Sequence, residues 1–207
     1  MKTKYYSRML PVILFFCVFA YTPASAQNSG KTENSDPLMM SFQTHAKIGN
    51  GTIEQKNQLS VLISTNFSGD YTDKAIRKAK WQNITDMFTL SPVTATDELL
   101  STGADISDLV QKGKPFHIAF KYETPSQTTE KRYVTWKVRN FQVSQTNSSD
   151  TLHFVKREPL TLYHKGTQEP GRTVAFNTQV IFRGNLKKAN FADPTEDWAI
   201  SAAISVP

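Results

Sequence analysis

Apolar and polar residues alternate with a period of two through most of this chain, the spacing of strands whose side chains point to opposite faces. Leu59, Val61 and Ile63 fall on one parity, with Ser60 and Ser64 on the other. Phe116, Ile118, Phe120 and Tyr122 share a face opposite His117, Ala119 and Lys121, which makes His117 a half-exposed strand residue. A third row runs through Val174, Phe176, Val180 and Phe182, against Thr173, Asn177, Gln179 and Arg183. Trp198, Ile200, Ala202 and Ile204 form the last. Turn-forming residues separate the rows: Ser68-Gly69-Asp70, Gly113-Lys114-Pro115, Asn147-Ser148-Ser149-Asp150, Glu169-Pro170-Gly171 and Asp193-Pro194.

Between Arg132 and Val143 the alternation changes phase. Val134, Trp136 and Val138 lie on one parity, Phe141 and Val143 on the other. A switch at Arg139-Asn140 predicts either a bulge or a strand that passes from one sheet's core to another's edge. Both devices belong to sandwiches, whose strands bend between two packed sheets. Helical spacing is confined to a turn or two over Asp73 to Lys80 and about one turn over Asp105 to Gln111. The pattern therefore predicts an all-β, antiparallel two-sheet sandwich, with a closed barrel as its main rival.

The start of the chain reads differently. Lys2, Lys4 and Arg8 precede an apolar run from Leu10 to Phe19, and Ala24-Ser25-Ala26 follows with the small residues that signal peptidase cuts. The run is well short of the roughly twenty residues that cross a bilayer. Residues 1–26 are read as a signal peptide, 27–36 as a polar disordered tether, and 37–207 as a single β-sandwich domain. This predicts an exported protein, periplasmic or secreted, with no transmembrane segment in the mature chain. Cys17 is preceded by Phe15-Phe16, a poor site for lipoprotein processing. As the sole cysteine it leaves with the leader, so no disulfide, thiolate metal site or cysteine nucleophile is expected.

Lys and Arg outnumber Asp and Glu by 24 to 18, and removal of the leader leaves 21 against 18. That is an ordinary solubility charge and does not point to nucleic acid. The cations Lys74, Arg77, Lys78 and Lys80 beside Trp81 look locally like a patch for an anionic polymer, but are read as a solvated basic loop.

Several segments taken in order carry a resemblance. They are Leu59-Ser60-Val61 running to Phe67-Ser68-Gly69-Asp70-Tyr71, Trp81 to Thr85, Ser101 to Asp108, Pro115 to Tyr122, Trp136 to Phe141, and Asp197 to Ser201. Together the chain resembles the domain of unknown function 5017 family, exported or lipid-anchored proteins of Bacteroides-type bacteria. The resemblance implies a jelly-roll-like sandwich similar in outline to galactose-binding domains, and an association with glycan acquisition at the cell surface. It supplies no catalytic residues.

The residues themselves offer a few candidates. Asp105 and Asp108 are spaced to give part of an oxygen shell for a structural calcium, with Asp70 and Asp73 a second such pair; turn capping is the alternative role for both. Glu196 and Asp197 adjoin on a strand and so point to opposite faces, which prevents them from flanking one glycosidic bond. Asp197 is read as a turn residue and Trp198 as the first core position of the last strand. The four histidines are scattered, and neither a zinc spacing nor a Gly-x-Ser-x-Gly elbow occurs. Trp81, Tyr71, Tyr133 and Tyr163 fall in loops or on polar parity and are the candidate sugar-stacking rings, whereas Trp136 and Trp198 lie on core parity. Asp150-Thr151-Leu152 is similar to the acceptor motif of the Bacteroides-type O-glycosylation system, which makes Thr151 a candidate modification site.

These readings converge on a non-catalytic exported sandwich that binds carbohydrate or assists glycan acquisition at the cell envelope, needing no cofactor beyond an optional structural calcium. A structural or adhesion module with an envelope protein partner is the alternative. A jelly-roll glycoside hydrolase is disfavoured by the lack of a recognisable carboxylate arrangement.

Overall fold

The computed structural model describes residues 37–48, 53–93, 99–146, 152–156, 160–166, 169, 172–186 and 192–205. The stretches read as signal peptide (1–26) and tether (27–36), and the candidate Thr151, lie outside the described residues. The strands are β1 (Leu38–Ile48), β2 (Ile53–Glu54), β3 (Leu59–Ser64), β4 (Gln82–Asn83), β5 (Leu100–Asp105) and β6 (His117–Thr124). They continue with β7 (Lys131–Arg132), β8 (Val134–Thr146), β9 (Leu152–Lys156), β10 (Thr161–Lys165), β11 (Val174–Phe176), β12 (Gln179–Phe182) and β13 (Thr195–Ile200).

Among the described residues two antiparallel sheets form the all-β, two-sheet sandwich that the alternation predicts. The first runs β11-β12-β8-β1-β5, with β9 also paired to β8, and the second runs β10-β13-β6-β3-β4. The strands β2 and β7 make a short parallel pair apart from both. Setting that pair aside, together with β4, β9 and β11, each of which joins the strand next to it in sequence, every successive strand changes sheet.

The inner faces meet in one apolar core. The first sheet contributes Met40 and Phe42 from β1, Val134 and Val138 from β8, and Phe182 from β12; the second contributes Val61, Ile118, Phe120 and Tyr122. Phe42 meets Phe120 edge-on with ring centroids 5.1 Å apart. Each such side chain, fully withdrawn from water, stabilises the fold by about 1.5–3 kcal/mol, and Phe120→Ala would open a void between the sheets.

The phase change in the long strand is a bulge. Ser41 pairs with Gln142 but Gln43 pairs with Arg139, so Asn140 and Phe141 together stand opposite Phe42. Asn140 adopts a positive φ of 52°, a conformation that Asn tolerates better than other non-glycine residues. The extra residue turns Phe141 inward, where its ring meets Phe120 at 5.6 Å.

The second sheet is covered on its outer face as well. A helix, α1 (Asp73–Lys78), falls within the stretch whose spacing predicts one; Thr72 caps its N-terminus by accepting from Ala75 N. Its buried face is Ile76, which packs with Phe67 against Leu62, Ala119, Trp198 and Ile200 of the sheet. His117 is buried beneath this layer, its ring edge-on to Phe67 at 4.9 Å, and is not the half-exposed residue that its parity suggests. Burial pushes its pKa down from the usual histidine value.

The row from Val174 to Phe182 is two strands and not one. Asn177 and Thr178 form the turn of the β11–β12 hairpin, and Phe176 pairs with Gln179 across it. Val180 and Phe182 enter the core, while Phe176 is 53% exposed.

Candidate functional site

Of the four aromatic residues proposed for sugar stacking, three gather on the outer face of the second sheet, and all are held in packing. Trp81 stacks at a tilt on Phe67 at 5.3 Å and on Trp198 at 5.5 Å, and its Nε1 donates to Ile76 O at 2.9 Å. Tyr71 lies edge-on to Phe67, with its hydroxyl donating to Ser201 O at 3.1 Å. Tyr163 packs against the same cluster, and its hydroxyl donates to the Asp73 carboxylate. That bond, with the Arg77 guanidinium beside it, holds the Asp73 carboxyl below the usual carboxylate range. Tyr133 sits elsewhere and is buried, not on a polar face.

The proposed calcium ligands are placed in a turn. Asp105 ends β5, and its Oδ1 accepts from Ser107 N at 2.9 Å, the capping role. Asp108 is exposed in the 3-10 turn Ser107–Leu109. Among the described residues no three acidic, histidine or cysteine side chains gather as a metal shell would require.

Asp197 is not a turn residue. It lies within β13 on the inner face and is completely buried. Arg172, also buried, donates to it through two nitrogens: Nη2 to Oδ1 at 2.7 Å and Nε to Oδ2 at 3.2 Å. The Thr173 hydroxyl donates to Oδ2 at 2.6 Å, and His164 Nδ1 lies 2.8 Å from Oδ1. Arg172 Nη2 further donates to the carbonyls of Lys165 and Glu196. A His–Asp pair is half of a nucleophile-activating constellation. Here the second ring nitrogen, His164 Nε2, is buried with no hydrogen-bond partner, and the nearby Thr173 hydroxyl is directed at Asp197 instead. The cluster pins the segment before β11 to the edge strand β10 and its neighbour β13 in the second sheet.

A different arrangement flanks the bulge. A cleft of about 340 Å³ lies beside Asn140 and the β11–β12 hairpin, within the range of small-ligand sites. Its walls are the buried Val138, Leu160 and Val180, and Phe176 stands exposed at its rim. Four amide side chains line it: Asn140, Gln142, Asn177 and Gln179. The bulge positions the first of these. Asn140 N donates to Thr178 O at 2.9 Å, tying the bulge to the hairpin turn, and its Nδ2 donates to Gln43 Oε1 at 2.8 Å. An aromatic face beside several amides offers electron-rich surface to C–H groups and both donors and acceptors to hydroxyls. Sequence reasoning located the bulge but passed over Phe176, because its parity matches that of the core residues Val180 and Phe182.

No curated protein and no solved structure matches the chain. A family model described as a domain of unknown function (DUF5017) matches residues 27–158, which is more than half the chain, and the protein therefore belongs to that family.

Proposed function

We propose that this protein is a non-catalytic, exported β-sandwich that binds carbohydrate, or assists glycan acquisition, at the cell envelope. The observation that carries the proposal is the exposed Phe176 ring at the mouth of the amide-lined cleft. A pyranose presents C–H groups on one face and hydroxyls around its rim. The first match an aromatic ring, whose face is electron-rich. The second each donate and accept, as an amide side chain does. The cleft's volume suits one or two sugar units.

The site differs from the one that sequence reasoning favours. Trp81, Tyr71 and Tyr163 hold α1 onto the second sheet, so their rings are committed to packing. Phe176 has no such duty.

The test is a glycan array probed with the intact protein, with and without calcium, alongside Phe176→Ala. Binding to a defined glycan that is lost in the variant supports the proposal. A clean negative in both buffers refutes it and turns attention to a protein partner in the envelope.

A further inference from the structure

The Phe176 cleft carries apolar surface of two kinds. At its rim the Phe176 ring is exposed. Phe141, turned inward by the bulge, lines the cleft half-buried, and Leu160 lines it just ahead of β10. Both pack with the core, so they form a smaller and less accessible wall than the rim does. A plain hexose offers one C–H face and a ring of hydroxyls. With that face on Phe176, only hydroxyls remain to meet Phe141 and Leu160. A hydroxyl held against apolar surface loses bonds to water and gains none.

The amides of the lining differ in how they are held. Asn140 is fixed by a relay across the first sheet. Its Nδ2 donates to Gln43 Oε1 at 2.8 Å, and Gln43 Nε2 donates in turn to Ser101 Oγ at 3.0 Å. Gln43 and Ser101 stand opposite each other in the pairing of β1 with β5, so backbone register supports the relay. Among the described residues nothing donates to Asn140 Oδ1, which leaves an oriented acceptor on a residue of the lining. Gln179, half-buried on β12, adds an amide that can donate.

Among the described residues no charged side chain lines the cleft. An ionic ligand would shed hydration there without meeting a counter-ion. An oriented acceptor, a donor and an apolar wall, all without charge, match a secondary acetamide. That group has an N–H that only donates, a carbonyl that only accepts, and a methyl that does neither.

We infer that the Phe176 cleft selects sugars bearing an acetamido group, the N-acetylhexosamine units of a glycan. The pyranose face lies on Phe176, the acetamido N–H donates to Asn140 Oδ1, the carbonyl accepts from Gln179, and the methyl packs against Phe141 and Leu160. This rests on the carbohydrate reading above and narrows it to a substrate class.

The test is a titration of the intact protein, followed by ligand-observed NMR, with disaccharides that differ only in acetamido substitution. N,N′-Diacetylchitobiose is set against cellobiose and against the free diamine chitobiose, and N-acetyllactosamine against lactose. In at least one set the acetamido member should bind about tenfold tighter than its partners, the product of one buried methyl and one paired amide. Asn140→Gly suits the positive φ and removes Oδ1. It should narrow that preference to about fourfold, the share of the methyl alone. Equal affinity within both sets, or a preference for hydroxyl or amine, overturns the inference. So does a glycan-array partner that depends on Phe176 and contains no acetamido sugar. In each of these cases binding that is lost in Phe176→Ala leaves the proposed function standing. No Phe176-dependent binding, in the titration or on the array, refutes both.

Discussion

Asp197 and Phe176 mark two polar regions built from ordinary side chains and used to opposite ends. Around Asp197 both carboxylate oxygens are engaged, by Arg172, Thr173 and His164, and Arg172 goes on to bind two backbone carbonyls. At the Phe176 cleft four amides surround open space, and the neighbouring ring faces solvent. Hydrogen-bonding capacity that is spent inside the protein fixes a loop. The Asn140 amide is itself bonded to Gln43, so what separates the two regions is burial, complete at Asp197 and broken at Phe176.

The largest effect expected from breaking this contrast is at the buried end. Asp197→Ala leaves Arg172 buried without its counter-charge and should destabilise the protein by about 3–5 kcal/mol, read as a lower denaturation midpoint with an unchanged slope. Phe176→Ala should do the reverse. Its glycan affinity should fall about tenfold or more, as for an aromatic anchor of an interface, while the thermal midpoint stays within a degree or two, roughly the effect of a surface change. A large loss of stability in that variant would show that the ring serves packing.

Asn140 lies between these extremes, because it shapes the bulge and lines the cleft. Asn140→Ala puts a less tolerant residue at positive φ and removes the bond to Gln43, and should cost about 1–2 kcal/mol. Asn140→Gly relieves the backbone while still deleting the amide. Its stability should recover most of that loss and its glycan affinity should not. Calorimetry and the array together separate the two contributions.

The smallest effect compares two histidines, one held on a carboxylate and one merely buried. His117 sits against Phe67, and burial lowers its folded-state pKa. The unfolded chain therefore takes up that proton first as pH falls. Stability is complete above the unfolded value of about 6.5, declines as pH drops from there through the lower folded value, and then levels off. His117→Gln should flatten this decline in thermal midpoints measured between pH 8 and 5. An unchanged profile would mean that other groups cause it.

The sandwich was legible because strand alternation is a local signal, written in neighbours two residues apart. The bulge was legible for the same reason, as a change of phase at Arg139-Asn140. What stayed hidden depends on distant partners. Asp197 follows Pro194 and looks like a turn until Arg172, twenty-five residues earlier, supplies its counter-charge. Trp81 looks exposed beside four cations until α1 folds it onto Trp198. The β11–β12 hairpin escaped notice because its turn, Asn177-Thr178, contains no glycine or proline and keeps Phe176 in step with Val180. The exposed ring at the candidate site was thus disguised by the very alternation that revealed the sheets.

The winding of the strands also governs when the structure can form. The last strand, β13, is not at an edge; it lies between β10 and β6 in the second sheet and carries Asp197. Partners that are remote in sequence must close large loops before any contact repays them, which makes such topologies slow to fold. Until β13 is in place, β10 and β6 have no strand between them and Arg172 has no counter-ion to settle on, so closure of the second sheet waits on that one strand.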